Sequence, residues 1–226
     1  MNSKTLAALA GSLAISAWAA FAVLALIVHG RHGSPLFFDH GLLTWSVGHR
    51  PAMAVAVARG LTATGTGVFP YAVVVVAGLL TGRDRWERLV GALLMATCLA
   101  TGQAARYGVM ELFHRARPPL SDWQTHASGW AFPSGHATTA ALTAGLVITA
   151  LCLRAPYGRI PLCLAVACWG AGVGLTRVFL GVHWFTDVLG GWLFAAGWLG
   201  LWLCAAAWWL LPRLSTTPGD GEPGPD

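Results

Sequence analysis

Apolar residues fall in six long blocks, at about 5–28, 52–80, 89–110, 134–153, 160–176 and 185–211, with the charged residues gathered mainly in the short segments between them. Each block is long enough to cross a bilayer as a helix. The pattern predicts an all-α fold, a polytopic membrane bundle of six transmembrane helices occupying residues 1–211. In the first block, Ala17-Trp18-Ala19 resembles a signal-peptidase site, but apolar sequence continues past it, so an uncleaved first helix is expected. Between the first two blocks, Arg31 to Pro51 mixes Leu36, Phe37, Phe38, Leu42, Leu43, Trp45 and Val47 with polar residues. That mixture suits a segment lying in the membrane interface, and a plain surface loop also fits it. In the second block Pro70 is expected to kink the helix, and Arg59 to snorkel toward the headgroups. Residues 212–226, rich in Pro, Gly and acid, read as a disordered cytoplasmic tail.

Composition agrees with a membrane protein. Hydrophobic residues make up 56% of the chain and charged residues 10%, too apolar a balance for a soluble core. The net charge of +5 comes from thirteen arginines and one lysine, and in a membrane protein it speaks to topology rather than to nucleic acid. Lys4, Arg83, Arg85, Arg88, Arg154, Arg159 and Arg213 lie on the side of the termini; Arg31, Arg50, Arg115, Arg117 and Arg177 lie on the other. The modest excess favours cytoplasmic termini, and the protein is expected in the plasma (inner) membrane. The loops holding Arg117, Pro133–His136 and Arg177–His183 then share the outer face. The five cysteines sit inside apolar runs without metal-ligand spacing, so neither a disulfide framework nor a metal site is expected.

Three polar clusters carry candidate chemistry. Arg117, followed by Pro118 and Pro119, follows the third block. Ser134, Gly135 and His136 open the fourth: Ser134 is suited to an N-cap, and the unpaired amides of a helix start suit a phosphate oxygen. His136 stands where it can protonate a leaving oxygen. The third cluster, Thr176 to Asp187, holds Arg177, His183 and Asp187. On a helix, His183 and Asp187 share a face, so the carboxylate can fix the imidazole tautomer and leave the second nitrogen free to attack. Taken singly, each cluster equally fits an interfacial cap or loop.

Their combination and order resemble the three-part signature of the type 2 phosphatidic acid phosphatase superfamily. In this chain it reads Arg117-Pro118, then Pro133-Ser134-Gly135-His136, then Thr176-Arg177 with five residues before His183 and three more before Asp187. The resemblance covers nearly everything except the tail. It implies a phosphatase acting on lipid phosphates at the membrane surface without metal or cofactor. His183 would be the nucleophile, through a phosphohistidine; Asp187 would orient it and His136 would be the general acid. Arg117, Arg177, Ser134 and Gly135 would hold the phosphoryl oxygens. Substrates implied are phosphatidate, phosphatidylglycerol phosphate or a polyprenyl diphosphate, the outward-facing site and small size favouring the last.

Met110 departs from the pattern, standing seven residues before Arg117 where the family usually has lysine. Loss of that cation weakens phosphate or transition-state binding by about 2–4 kcal/mol unless it is replaced. Arg106, one turn earlier on the same face, is the expected auxiliary, with Arg115 a second candidate; for Arg106, snorkelling fits as well. Thr176 replaces a commoner serine and keeps the hydroxyl. Two other functions fit the same residues: a lipid-phosphate-binding protein that has lost turnover, and a phosphotransferase using an acceptor other than water. The expected partners are the bilayer and its phosphorylated lipids, not nucleic acid; oligomeric state is not encoded legibly.

Overall fold

A backbone surrounded by lipid has to satisfy its own polar groups, and apolar blocks do so as helices. In the computed structural model, which describes residues 3–154 and 158–209, these blocks form α1 (Ser3–Gly30), α2 (Phe37–Gly48), α3 (Ala52–Ala63), α4 (Val68–Thr81), α5 (Arg85–Phe113), α6 (Gly135–Arg154), α7 (Arg159–Phe179) and α8 (Phe185–Trp209). A 3-10 turn spans Leu120–Asp122, and no strand occurs among the described residues. The tail at 212–226 lies outside them. Among the described residues five helices are long and apolar enough to cross a membrane, and the bent pair α3–α4 passes the same test taken together, as a broken span or a re-entrant loop.

That pair breaks by 53°, and the break is not at the expected residue. It falls at Thr64–Gly67, where Gly67 takes φ 69°, a backbone conformation that a side chain disfavours. Pro70 is instead the third residue of α4, where the helix has no use for its missing N–H. Arg59 also departs from expectation: its Nε donates to the Gln124 carbonyl at 2.6 Å and ties α3 to the loop after α5.

α6 is the hub. It touches α4, α5, α7 and α8, and half of its span is buried, more than for any other span. Its inward residues are small, among them Ala137, Thr138, Ala140, Thr143 and Ala144, so neighbouring helices come close. Val74, Met95, Leu99, Leu142, Leu146 and Ala195 fill the middle of the bundle. Nearer one end, Phe21, Val28, Leu36, Phe132 and Phe194 pack together.

At that end the segments 31–51, 114–134 and 180–184 meet. Gln124 N–H donates to the Leu180 carbonyl, and Arg115 Nε donates to the Gly33 carbonyl. The interfacial segment forms the helix α2, which buries Leu36 before it and Asp39, Leu43 and Ser46 on one side. Its other side exposes Phe38, Leu42 and Trp45, an apolar face turned outward as an interfacial helix requires.

Close packing of α4 on α5 yields a test. A Cβ on Gly78 would lie 2.5 Å from Ala92 Cα and 2.6 Å from the Gly91 carbonyl oxygen, whereas one on Gly108 meets nothing within 4 Å. Gly78→Ala is expected to destabilise the bundle by about 1–3 kcal/mol through overpacking. Gly108→Ala is expected to match or exceed the parent, because alanine favours helix. Thermal unfolding in detergent compares the two.

Candidate active site

The first turn of α6 supplies unpaired donors. Ser134 occupies the N-cap position: its carbonyl accepts from Thr138 N–H at 3.0 Å and Thr138 Oγ1 at 2.9 Å. Its hydroxyl does not cap the helix. Ser134 Oγ is buried and has no hydrogen-bond partner among the described residues. The next amides, beginning with Gly135, belong to the helix start and have no intrahelical acceptor. His136 follows, half-buried, in the field of Arg177, His183, Arg117 and Arg106.

α7 brings Arg177 to the same place. Its guanidinium is buried, donates from Nη1 to Thr62 Oγ1 at 3.1 Å, and leaves Nε unpartnered. The chain then turns tightly through Gly181, and the Arg177 carbonyl accepts from the Val182 and His183 amides at 3.1 and 3.3 Å. This fold-back sets the His183 ring beside the arginine. The Thr176 hydroxyl is not part of the site, because it donates to the Val173 carbonyl of its own helix at 2.6 Å.

The contacts of His183 define its tautomer. Nε2 lies 2.9 Å from Arg117 Nη1, which can only donate, so Nε2 presents its lone pair. Nδ1 then carries the hydrogen, directed at Asp187 Oδ2 at 3.4 Å. Burial, with Arg117 and Arg177 adding to it, pushes the imidazole well below its ordinary pKa and keeps it neutral. Arg117 itself is caged by carbonyls: Nε on Gly129, Nη1 on Val182, Nη2 on Ser128 and Trp130. With the Nη1 contact to His183, every one of its donors is engaged.

Asp187 lies in the first turn of α8, fully buried. Its Oδ2 accepts from Trp184 N–H at 2.9 Å, and its Oδ1 from Arg115 Nη1 at 2.5 Å. Arg115 thus corrects one expectation. It is not a spare cation for phosphate: it is wholly buried, paired with Asp187 on one side and with Asp39 at 2.8 Å on the other. Two buried carboxylates facing one guanidinium leave it no reason to turn elsewhere.

Arg106 has no such partner. Its Nη1 donates to Met110 Sδ at 3.3 Å, and its guanidinium packs over Gly135, 3.4 Å from where a Cβ would stand. Among the described residues it forms no ion pair. The structure therefore gathers His183, Asp187, Arg117, Arg177, Ser134, Gly135, His136 and Arg106 at one end of the bundle. Sequence reasoning missed Asp39, Thr62 and Thr186. Asp39 had a signal: it is the sole carboxylate before Asp84. Among the described residues no group of three or more His, Cys, Asp or Glu side chains is placed to hold a metal ion.

A multi-span helical membrane protein that turns a neutral imidazole and several guanidinium groups toward one end belongs to a narrow class. The sequence model of the PAP2 superfamily matches residues 88–211, and the chain belongs to that superfamily. It is 31% identical over 140 residues to phosphatidylglycerophosphatase B of Bacillus subtilis, covering 60% of this chain and 66% of that protein. It is 32% identical over 136 residues to lipid A 1-phosphatase of Rhizobium etli, covering 54% of each. The chain thus spans about two thirds or less of these relatives' lengths. Among solved structures it resembles a transmembrane PAP2-type phosphatidylglycerolphosphate phosphatase from Bacillus subtilis, with TM-score 0.72 and 26% identity over 89% of this chain and 97% of that one.

Thr62 tests how Arg177 is held. Thr62→Val keeps the shape and removes the acceptor of a buried charged donor, at an expected cost of about 1.5–3 kcal/mol. Thermal unfolding of the purified variant in detergent measures it.

Proposed function

We propose that the protein is an integral membrane phosphatase that hydrolyses a lipid phosphate through a phosphohistidine on His183. One observation carries the reading: the His183 Nε2 lone pair, held by Arg117, lies at the same end of the bundle as two buried donors without an acceptor among the described residues, Ser134 Oγ and Arg177 Nε. A phosphoryl group needs such donors on its equatorial oxygens and a nucleophile in line.

In this mechanism the phosphoryl oxygens take up Ser134 Oγ, the first amides of α6, Arg177 Nε and the Arg106 guanidinium. The hydrogen bond that Arg117 Nη1 donates to Nε2 shifts to a phosphoryl oxygen, which frees the lone pair. Nε2 attacks phosphorus and the bond to the leaving oxygen breaks. His136, protonated once the substrate's negative charge stands beside it, gives that oxygen a proton, then takes one from the water that attacks the phosphohistidine and releases inorganic phosphate. Asp187 stabilises the imidazolium character that develops on the ring. The cations that neutralise charge are arginines, so no divalent metal is required.

The names of the two curated relatives point to a phosphate on a lipid headgroup, which favours a phosphomonoester such as phosphatidylglycerol phosphate over a polyprenyl diphosphate. The arginine distribution favours cytoplasmic termini in the inner membrane and a site on the outer face.

The test is phosphate release by the full chain in detergent with chelator present, against phosphatidylglycerol phosphate, phosphatidate and a polyprenyl diphosphate. Turnover is expected with chelator, inhibited by vanadate and abolished in His183→Ala. A strict requirement for added divalent metal, or full turnover by His183→Ala, overturns the reading. Phosphate transferred to an added alcohol in preference to water would mark a phosphotransferase instead.

Arg106 provides a second prediction. Arg106→Ala is expected to lower kcat by about 10²-fold, the cost of one oxyanion donor. Adding Met110→Lys to that variant, which returns a cation one turn later, is expected to recover much of the loss. If Arg106→Ala retains full activity while Arg117→Ala loses it, Arg106 does not bind phosphate.

A further inference from the structure

Behind His183 and Asp187 lies a second layer of charge that no phosphate can touch. Arg115 is fully buried, and each of its nitrogens is engaged. Nε donates to the Gly33 carbonyl at 3.2 Å; Nη1 donates to Asp187 Oδ1 at 2.5 Å and Thr186 Oγ1 at 2.8 Å; Nη2 donates to Asp39 Oδ2 at 2.8 Å and the Ser34 carbonyl at 3.3 Å. Asp39, also fully buried, accepts from Thr186 N–H at 2.8 Å, Thr186 Oγ1 at 2.7 Å and Leu36 N–H at 2.8 Å. It comes from α2, more than a hundred residues from the third cluster, and joins the first turn of α8 by two hydrogen bonds from Thr186.

We propose that Asp39 and Arg115 are positioning residues that act together on Asp187, Arg115 fixing its rotation and Asp39 preserving its effective charge, so that His183 stays basic enough to attack. The inference rests on the proposed role of His183.

The geometry supports both halves. Arg115 holds Oδ1, so Oδ2 is the oxygen left for Trp184 N–H and the His183 ring. A lone guanidinium there would cancel the charge of Asp187 in a site that water does not screen. Asp39 returns one negative charge, so the group of Asp39, Arg115 and Asp187 carries −1 toward the imidazole. The other groups bearing on His183 are cationic or neutral: Arg117 from the loop after α5, Arg177 from α7, Arg106 from α5 and His136 from α6. Against three guanidinium groups, that single negative charge supports the basicity of the ring, beside a hydrogen bond to the Ala131 backbone.

The alternative is that the network only holds the fold together. A structural role lowers stability and activity without moving the pH profile, whereas a positioning role moves it in opposite directions for opposite charge changes. Asp39→Asn takes the network from −1 to 0, so the acidic limb of kcat/KM is expected to move to lower pH and plateau kcat to fall, with KM unchanged. Arg115→Gln takes it to −2, and the limb is expected to move to higher pH by at least about half a unit. The double variant returns to −1 and is expected to bring the limb back to that of the parent. All are measured on one lipid phosphate in detergent, so the substrate's own ionisation is common to them.

Limbs that coincide with the parent, or that move together in one direction, overturn the proposal. So does a change in KM with kcat intact, which would mean direct contact with phosphate. Should Arg115→Gln fail to fold, Asp39→Asn decides, since it keeps shape and size: a parental kcat in that variant overturns the proposal. His183→Ala separates the two levels. If it is inactive while Asp39→Asn behaves as the parent, this inference fails and the phosphohistidine reading stands.

Discussion

A carboxylate shut away from water has to be surrounded by donors, and Asp187 is where the loop end of this bundle closes around that need. Its side chain accepts from Arg115, Trp184 N–H and the His183 ring, and its backbone carbonyl accepts from Ser134 N–H at 3.0 Å. One residue therefore joins the start of α8 to the start of α6, to the segment after α5 and, through Arg115, to α2. The distances within the site follow from that junction. Ser134 and His183 are both anchored to the same aspartate, one through its backbone carbonyl and the other through its side chain.

Such a cluster is weak evidence for stability, because desolvating three charges offsets most of their attraction. What it supplies is a single geometry. The planar fork of Arg115 fits two carboxylates at defined angles, which a lysine could not do. The small residues of α6 do the complementary task, letting α7 and α8 approach until Arg177 and Asp187 arrive at the same helix start. On Gly191 of α8, a Cβ would stand 2.9 Å from the Ser134 carbonyl oxygen, so that approach depends on the absence of a side chain.

Most of the fold was legible because lipid leaves the backbone few choices: long apolar blocks become helices, and charge marks where they surface. The reactive residues were legible because imidazole, carboxylate and guanidinium are rare in such a chain and here recur at helix ends. What escaped was determined by partners distant in sequence. Pro70 looked like the kink, yet Gly67 makes the break, because a proline in the first turn of a helix disturbs nothing. Arg115 looked like a spare cation two residues from Arg117; only the folded chain shows that Asp39 and Asp187 claim it. Thr62 reads as one threonine among several, and nothing local foretells that it meets Arg177 across 115 residues.

The distinction between engaged and unengaged cations carries the last step. Four arginines gather near His183, but they are not equivalent. Arg115 is neutralised by carboxylates, and Arg117 is bound to four backbone carbonyls and to the His183 ring itself. Among the described residues Arg177 Nε has no acceptor, and the hydrogen-bond acceptor of Arg106 is a thioether, a weak one. A phosphoryl group gains most from donors that give up little to meet it, which singles out the last two together with the Ser134 hydroxyl. In the proposed mechanism Arg117 enters differently: to reach phosphate it has to leave Nε2, and leaving exposes the lone pair that would attack. The residue that caps His183 would then be the one that substrate charge draws away from it, so that binding and activation become one event at the same nitrogen.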